Sequence, residues 1–460
     1  MIVLKFGGTS VKDSYWIDRT IDITNNQIDK APVLVSSAIS KVTDKLLSIG
    51  KFAEEKNKEG ISETIDTLKK MHFDIANEFL TGRNFEKAAE TLDSLFLQLE
   101  SFSKGLFLLG ECSPKSSDML VSFGERLSTL LIYHRTIERK IDSELLDSRD
   151  FIITDNNFTS ASPNYNLTNP KIQEFVKPKK GKIIITQGFI SSNENGITTT
   201  LGRGGSDFSA TIIGSALDAK EVQIWTDVDG ILTTDPRIAP AAIRLETISY
   251  AEAAELAFFG AKVVHPSTIQ PAVKKKIPVI VKNTKNPDCP GTLITRKLDS
   301  TGIVGIAGKK NITSINITSF RMLNAYGFLS KIFTIFEKYK TPVDLISTTE
   351  VSVSMTVEDT SNIDLIKSEL DSIGKITIES NNGIICLVGN NIWKDSKLIS
   401  KIFKTLAPAP VKMISLGAAD VALSIVLDED KIDNTIKKFH KAFFEKRTRR
   451  TTAKKTRTEA

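Results

Sequence analysis

The chain has 460 residues, of which 40% are hydrophobic and 25% are charged, a composition typical of a globular protein with two to four domains. No apolar run approaches the ~18 residues of a membrane span, and the first residues have no signal-peptide character, so we expect a cytoplasmic protein without a membrane partner. Residues 446–460 hold seven Lys or Arg and one Glu, which accounts for the whole formal net charge of +6. The neutral remainder argues against nucleic acid as a partner, and this basic tail is predicted to be disordered.

The cysteines and histidines favour neither disulfides nor a metal site. Cys112, Cys289 and Cys386 are scattered and odd in number, as is typical of reduced thiols in the cytosol. The four histidines show no metal-ligand spacing, so we predict no metal held by protein side chains.

The N-terminus predicts an apolar strand over residues 1–6, followed by Gly7, Gly8, Thr9 and Ser10. A strand that runs into two glycines and a hydroxyl residue is typical of a loop that surrounds a phosphate. Lys5 either faces such a phosphate or is a solvated lysine at the end of a strand. The GxxxxGK[ST] motif is absent from this segment.

The next segments alternate between apolar strands and helices. Residues 31–35 predict a buried strand, after which Ser37 and Thr43 either cap a helix or contact a ligand. Residues 44–110 predict amphipathic helices.

A further helix is predicted over residues 117–138, and a short strand is predicted within residues 144–153. Glu125 is placed near the start of this helix, where it either favours the helix dipole or reaches into a ligand cleft.

The stretch 201–237 carries the densest signals. A glycine-rich turn with Arg203 and Asp207 precedes an apolar helix over 208–217, and a strand over 221–225 then runs into Thr226 and Asp227. These are either two surface turns or one anion site, because glycines, a helix start and an arginine fork all suit a phosphate or carboxylate. The alternation of strands and helices through residue 296 predicts an α/β fold with a mainly parallel sheet.

An internal repeat appears beyond residue 310. Ser330-Lys331-Ile332-Phe333 recurs as Ser400-Lys401-Ile402-Phe403, and the strand over 351–357 recurs over 421–427. Each copy reads strand, helix, strand, strand, helix, which predicts two small βαββαβ modules with a binding or interaction role.

Five ordered blocks resemble the signatures of the aspartokinase family: residues 5–10, 202–207, 225–230, 234–237 and 259–263. The resemblance covers about residues 1–445. It implies an amino-acid-kinase α/β/α sandwich over 1–296 and ACT-like regulatory modules over 312–380 and 383–445, with the tail at 446–460. It also implies transfer of the ATP γ-phosphoryl group to the β-carboxylate of L-aspartate, the first step toward lysine or diaminopimelate, threonine and methionine.

The resemblance assigns roles to residues at the matching positions. Lys5 and Asp207 are the expected catalytic pair. The expected ATP-binding residues are Lys5, Phe6, Gly7, Gly8, Ser37, Thr226, Asp227, Leu232, Arg237 and Lys262, with MgATP as the substrate form. Relatives often have Tyr at the position of Leu232. The expected substrate-binding residues are Thr43, Glu125, Phe189, Arg203 and Ser206.

In the first module the resemblance is to the lysine-sensitive type, with L-lysine as the effector and a homo-oligomer formed through the ACT modules. The expected effector residues are Met322, Ala325, Phe328, Leu329, Val343, Asp344, Thr349 and Glu350. Ala325 replaces a Ser that is common at its position. Asp344 and Glu350 either receive the ammonium groups of lysine or are solvated loop acids.

Two alternatives stay open at this stage. One is another enzyme of the same fold, acting on glutamate, acetylglutamate or a nucleotide. The other is a non-catalytic amino-acid sensor, although Lys5, Gly7, Gly8, Arg203 and Asp207 are all present.

Overall fold

The computed structural model describes residues 1–260, 264–296, 302–323, 325–417 and 420–445. These residues form two compact units. The first unit holds residues 1–231 and 264–296, and the second holds residues 232–260 and the described residues from 302 onward. Among the described helices, none combines the length and apolar character that a membrane crossing requires.

The secondary structure follows the predicted order of strands and helices. In chain order, the strands are β1 (Ile2–Phe6), β2 (Pro32–Ser36), β3 (Ser143–Leu146), β4 (Ile153–Thr154), β5 (Ile183–Gln187), β6 (Ile190–Asn193), β7 (Thr198–Thr200), β8 (Val222–Thr226), β9 (Thr247–Ser249), β10 (Val279–Asn283), β11 (Thr292–Thr295), β12 (Gly302–Thr318), β13 (Ile346–Thr348), β14 (Ser352–Val357), β15 (Lys375–Asn390), β16 (Met413–Leu416) and β17 (Ala422–Asp428). The helices are α1 (Ser14–Asn25), α2 (Val42–Glu54), α3 (Lys58–Phe79), α4 (Gly82–Leu109), α5 (Pro114–Glu138), α6 (Tyr165–Phe175), α7 (Gly205–Ala216), α8 (Tyr250–Phe258), α9 (Pro266–Lys274), α10 (Phe328–Lys338), α11 (Ile363–Leu370), α12 (Ser396–Leu406) and α13 (Ile432–His440).

The central sheet of the first unit has the strand order β3-β5-β2-β1-β8-β10-β11, and every pair except β10–β11 is parallel. The predicted mainly parallel sheet is therefore confirmed. Phe6 lies beside Ser36 on one neighbouring strand and Trp225 on the other, and Ser36 lies beside Gln187. Because these strands end in register, the loops that follow them meet at one edge of the sheet, where open α/β sheets bind ligands.

The alternation of side chains along β1 decides which residues face which layer of helices. Leu4 and Phe6 belong to the core shared with helices α2 to α5. Val3 points to the other face, where its Cγ2 atom lies 3.7 Å from a Cβ atom placed on Gly214 in α7. Lys5 has the same parity as Val3, so its side chain is directed toward α7.

The stretch predicted as helical over 44–110 forms α2, α3 and α4, which pack with α5 around a common apolar core. The single strand predicted within 144–153 is wrong. The chain there forms two strands, β3 and β4, separated by a 3₁₀ turn at Ser148–Asp150, and they belong to different sheets.

The second unit contains a six-stranded sheet with the order β13-β14-β12-β15-β17-β16, in which all pairs are antiparallel. Its two cores confirm the predicted pair of βαββαβ modules, one around Ile315 and Ile332 and the other around Ile385 and Ile402. Strands β12 and β15 each run through both modules. Residues 302–309 of β12 pair with residues 384–390 of β15, so the second module also uses chain that precedes the first.

Candidate functional site

Gly7 and Gly8 follow β1 where the ends of three strands are joined by backbone hydrogen bonds. The Gly7 N–H donates to the carbonyl oxygen of Trp225 at 3.2 Å, and the Ser37 N–H donates to that of Phe6 at 3.1 Å. A Cβ atom on Gly8 would lie 2.8 Å from the carbonyl oxygen of Ala38, so a side chain does not fit there. The loop is therefore bare backbone at the edge of the sheet, as close approach to a phosphate requires.

Lys5 and Asp207 form an ion pair beside this loop. The Lys5 Nζ atom lies 2.6 Å from Asp207 Oδ1, and the two side chains are only 13% and 9% exposed. Asp207 lies in the first turn of α7, on the face of the sheet to which Lys5 points. The carboxylate therefore holds the ammonium group of Lys5 at the ligand-binding edge.

The turn before α7 brings Arg203 to the surface. Gly202 and Gly204 have φ values of +73° and +71°, a conformation that glycine adopts without strain. Gly204 is the N-cap of α7, and no side chain caps this helix. Arg203 itself is exposed, and it forms no ion pair within the described parts of the chain. The turn thus combines a positive helix end with an available guanidinium group.

Glu125 lies about three turns into α5, so its predicted place near the helix start is wrong and the dipole explanation fails. Its side chain is buried, with the residue 3% exposed, and Oε1 accepts a hydrogen bond from the Ala38 N–H at 3.1 Å. Oε2 is also buried, and it has no hydrogen-bond partner among the described residues. Burial raises the pKa of Glu125 to about 8, against the Ala38 N–H, which lowers it. A buried carboxyl with a free oxygen suits a cationic ligand.

Three further residues predicted to bind the substrate lie around the same edge, namely Ser206, Phe189 and Thr43. The Ser37 hydroxyl donates to the Ser206 hydroxyl at 2.9 Å. Phe189 has a φ of +67°, and its N–H donates to the Ser209 hydroxyl at 2.9 Å. Thr43 lies in the first turn of α2, whose N-terminus has no side-chain cap, so the alternative role of Thr43 as a cap is excluded.

The residues predicted to bind the nucleotide are only partly gathered at this edge. Thr226 ends β8, and its hydroxyl donates to Asp227 at 3.3 Å, while the Asp227 side chain is exposed. The Phe6 ring is buried and stacks on Trp225 with 5.8 Å between ring centres, so only the Phe6 backbone reaches the edge. Lys282, which the sequence analysis did not single out, lies beside Trp225, with its Nζ atom 5.2 Å from the centre of the Trp225 ring.

The remaining nucleotide positions belong to other parts of the chain. Leu232 and Arg237 are in the second unit, where Leu232 forms an isolated β-bridge with Arg244. The Arg237 guanidinium is 88% exposed and pairs with Asp235 at 2.6 Å. Lys262 lies outside the described residues.

A buried polar stripe on α5 was also missed. Its members are Asp118, Ser122, Glu125 and Thr129, which are all nearly inaccessible to solvent. Their spacing of three to four residues places them on one face of the helix. That spacing is readable from the sequence, and it would have singled out Asp118 together with Glu125.

The predicted effector residues lie in the first module of the second unit. Asp344 is held by Lys309, with Nζ at 3.0 Å from Asp344 Oδ1 and at 2.8 Å from Glu358 Oε2. Asp344 Oδ2 is buried and has no hydrogen-bond partner in the described part of the chain. Glu350 is exposed, and the Thr349 hydroxyl lies 2.7 Å from the Ser352 hydroxyl.

The other effector positions surround the start of α10. Phe328 is buried in the core of the first module, and Met322 and Val343 pack against that core. Ala325 and Leu329 are exposed.

Comparison with known families and proteins identifies the fold and its relatives. The amino acid kinase family matches residues 1–283, and an ACT domain matches residues 385–443. Aspartokinase 3 from the chloroplast of Arabidopsis thaliana is 38% identical over 96% of this chain and 81% of its own length. Lysine-sensitive aspartokinase 3 of Escherichia coli is 34% identical over 97% of this chain and 99% of its own.

Two crystal structures of E. coli aspartokinase III resemble this chain over 97% of its length and 100% of theirs. The complex with aspartate and ADP has a TM-score of 0.85 at 35% identity. The complex with lysine and aspartate has a TM-score of 0.81 at 34% identity. By the extent of these matches, the chain belongs to the aspartokinase family of amino acid kinases.

Proposed function

We propose that this chain, an aspartate kinase, carries out phosphoryl transfer from ATP to L-aspartate at the edge where β1, β2 and β8 end. The observation that carries the proposal is the largely buried ion pair between Lys5 and Asp207 beside the Gly7-Gly8 loop. Phosphoryl transfer requires positioning and charge neutralisation more than covalent help, and this pair supplies a fixed positive charge.

The reaction needs no general base, because the β-carboxylate of aspartate is already ionised. One of its oxygens attacks the γ-phosphorus, the bond from that phosphorus to the β–γ bridging oxygen breaks, and ADP leaves. The product is the acyl phosphate 4-phospho-L-aspartate. Lys5 stabilises the negative charge on the transferring group, and Asp207 keeps the Lys5 ammonium in place.

Aspartate recognition uses Arg203 for the α-carboxylate and Glu125 for the α-ammonium. Arg203 is exposed and without an ion pair in the described chain, and Glu125 has a buried oxygen without a hydrogen-bond partner there. Thr43, Phe189 and Ser206 complete the pocket. Since the pKa of Glu125 is about 8 in the ligand-free chain, binding of the ammonium group displaces a proton from this carboxyl.

The nucleotide is held as MgATP by backbone and side chains of the same edge. Gly7 and Gly8 expose the loop to the phosphates, with the Phe6 backbone, Ser37, Thr226 and Asp227 around them. The resemblance also assigns Leu232, Arg237 and Lys262 to the nucleotide; Leu232 and Arg237 belong to the second unit, and Lys262 lies outside the described residues. Magnesium enters with the phosphates, because this ion is usually bound by substrate phosphates and only one or two carboxylates.

We further propose that the ACT modules bind L-lysine and that the bound lysine inhibits the kinase. Asp344 and Glu350 receive its ammonium groups, and Met322, Ala325, Phe328, Leu329, Val343 and Thr349 surround it. The support is the buried Asp344 oxygen without a hydrogen-bond partner in the described chain. Such regulation works through different affinities of two conformations, typically about 1–3 kcal/mol of coupling.

The chain also forms a homo-oligomer through its ACT modules, in the cytoplasm. Phe320, Leu323 and Tyr326 are exposed apolar residues beside the effector positions, as is typical of an interface. Light scattering of the full chain will give at least a dimer, and Tyr326→Asp will shift it toward the monomer. A wild-type monomer, with and without L-lysine, would contradict the oligomer. The three cysteines are unpaired, which suits a reducing compartment.

The domain limits also remain a proposal. We place the catalytic domain at 1–296 and the regulatory modules at 312–380 and 383–445, with the tail at 446–460. Residues 232–260 nevertheless pack within the second compact unit, where the Ile306 N–H donates to the carbonyl oxygen of Thr233 at 2.7 Å.

The test of function traps the acyl phosphate as a hydroxamate. Purified chain with MgATP, L-aspartate and hydroxylamine will form hydroxamate, and L-lysine will reduce the amount. Hydroxamate that is indifferent to lysine would overturn the effector assignment alone. If folded protein forms hydroxamate with L-glutamate but not with L-aspartate, the substrate assignment fails. Lysine binding without any hydroxamate would favour a sensor.

A further inference from the structure

Asp118 is a buried carboxylate in the first two turns of α5 that connects three segments of the first unit. It is 1% exposed. Its Oδ2 atom accepts hydrogen bonds from the Thr159 N–H at 2.9 Å and the Thr200 N–H at 3.0 Å. Oδ1 accepts one from the Thr200 hydroxyl at 2.7 Å and shares the Thr159 N–H at 3.1 Å. All of these donors are neutral. Burial raises the pKa of Asp118, and the hydrogen bonds oppose this shift.

The donors belong to the two segments that support the Arg203 turn. Thr200 ends β7 and is separated from Gly202 by one residue. Thr159 packs against Gly202, because a Cβ atom placed on Gly202 would lie 3.2 Å from the carbonyl oxygen of Thr159. The loop and the strand are also joined directly by the Ala161 N–H, which donates to the carbonyl oxygen of Thr200 at 2.8 Å.

The same helix carries Glu125, seven residues after Asp118 and on the same face. Asp118 therefore connects the helix that holds the proposed ammonium acceptor to the turn that holds Arg203. Arg203 has a long and exposed side chain, so the geometry of its fork depends on where its backbone is held. Displacements of about 1 Å in such a support typically reduce function strongly.

We propose that Asp118 is a positioning residue for aspartate recognition, which sets the place of the Arg203 turn relative to Glu125. This inference rests on the proposed roles of Arg203 and Glu125. Asp118 acts through the turn, since its carboxylate oxygens are occupied by Thr159 and Thr200.

A carboxylate suits this position because three hydrogen-bond donors face it: the Thr159 N–H, the Thr200 N–H and the Thr200 hydroxyl. An ionised Asp accepts at both oxygens, whereas Asn accepts at one oxygen and presents an NH₂ group at the other position. In Asp118→Asn, the Thr200 hydroxyl can turn to accept from the NH₂ group, but the Thr159 N–H, which lies 3.1 Å from Oδ1, would face that NH₂ group. The Thr159 N–H thus loses one of its two acceptor atoms, and the Thr159 and Thr200 N–H groups both lose the strength of a charged acceptor. The substitution keeps the volume of the side chain, so it tests the hydrogen bonds and not the packing.

The experiment measures steady-state kinetics of the full chain with each substrate varied in turn. Asp118→Asn is expected to raise the KM for L-aspartate about tenfold, with the KM for ATP and kcat at saturating aspartate changed less than about twofold. Asp18→Asn is the matched control, because Asp18 also anchors α5, through Arg135 and Arg139 near its other end. It is expected to lower stability without separating the two KM values.

Two further variants keep the proposal falsifiable. If Asp118→Asn does not fold, Thr200→Val removes only the hydroxyl donor and is expected to raise the KM for L-aspartate alone, by a smaller factor. An unchanged KM for L-aspartate in either folded variant, or an equal rise for ATP, would overturn the positioning role. Arg203→Ala tests the recognition role of Arg203, on which the positioning role of Asp118 depends. If this variant leaves the KM for L-aspartate unchanged, the proposed recognition role itself is wrong.

Discussion

The two units each contain a Lys–Asp ion pair that is largely shielded from water, and the surroundings of the two pairs differ. In the first unit, Lys5 and Asp207 lie 2.6 Å apart with side chains 13% and 9% exposed. In the second, Lys309 and Asp344 lie 3.0 Å apart with side chains 16% and 8% exposed. Distance and burial alone therefore do not distinguish the pair at the proposed catalytic edge from the pair at the proposed effector position.

The neighbours of each pair make the distinction. Lys5 stands beside the bare Gly7-Gly8 backbone, so its charge is available to an anion. Lys309 also contacts Glu358, and its Nζ atom lies 5.0 Å from the centre of the Phe258 ring, so this ammonium is enclosed. At the second pair it is the carboxylate of Asp344 that retains an oxygen without a hydrogen-bond partner in the described chain. In the proposed roles, the first pair thus presents a cation to its ligand, and the second presents an anion.

The largest effect is expected from removing the cation of the first pair. Lys5→Met is expected to lower kcat by about 10³-fold, because the developing charge on the phosphoryl group loses its fixed counter-charge. Hydroxamate formation at saturating substrates measures it. Lys30→Met is the control, since Lys30 is a more exposed lysine that pairs with Glu221 at 3.8 Å. If Lys5→Met kept kcat within tenfold of the wild type, the catalytic assignment of this pair would not stand.

Removing the carboxylate charge of the second pair is expected to give the next largest effect. Asp344→Asn is expected to raise the L-lysine concentration for half inhibition by about ten- to hundredfold, the value of one or two charge-assisted contacts. The kinase activity without lysine measures whether the fold is intact. Glu358→Gln is the control, because Glu358 contacts the same Lys309 but is 61% exposed. Equal effects of the two variants would show that the total negative charge near Lys309, and not the Asp344 carboxylate itself, determines lysine binding.

The sequence was sufficient to predict the first pair but not the second. Lys5 and Asp207 were paired through the resemblance to aspartokinases, and the fold brings the end of β1 and the start of α7 together. Lys309, which pairs with Asp344, lies at an irregularity in β12, whose pairing with β15 shifts between Lys309 and Ile312. A shift of register by one residue reverses the direction of side chains, and sequence patterns do not fix where it occurs.

The sequence also did not predict which individual carboxylates are buried. Glu125 was predicted near a helix start, but the helix begins at Pro114, with Ser113 as its cap. The partners of Asp118 come from a loop, at Thr159, and from the end of β7, at Thr200, and their placement depends on tertiary contacts. The sequence motifs were therefore predictable, while the hydrogen bonds that join them in the folded chain were not.

Glu125 extends the comparison, because among the described residues this buried carboxylate has no lysine partner, unlike Asp207 and Asp344. We therefore expect its ionisation to make aspartate binding depend on pH. Its pKa of about 8 lies above the ordinary value, so the carboxyl is protonated below pH 8 in the ligand-free chain. Ammonium binding needs the ionised form. The KM for L-aspartate is therefore expected to fall as pH rises toward 8, by up to about tenfold per pH unit.

Glu125→Gln provides the control for this dependence. The variant has no titrating group at this position, so its KM for L-aspartate is expected to be higher and nearly independent of pH between 6 and 8. A wild-type KM that stays constant over the same range would contradict the proton displacement. Retained pH dependence in the variant would assign it to another group.

The smallest effect concerns the cation of the second pair. A lysine ligand whose ammonium takes Asp344 must compete with Lys309, which already contacts Oδ1. Lys309→Met keeps an unbranched side chain and removes the competing charge, so L-lysine is expected to bind a few-fold more tightly, by about 0.5–1 kcal/mol, the lower part of the range for a net hydrogen bond. Calorimetric titration of L-lysine measures this affinity. Lys310→Met is the matched control, because the adjacent Lys310 pairs with Asp433 instead. Weaker binding in Lys309→Met alone would show that Lys309 contacts the carboxylate of the ligand, and the two pairs would then both act by presenting a cation.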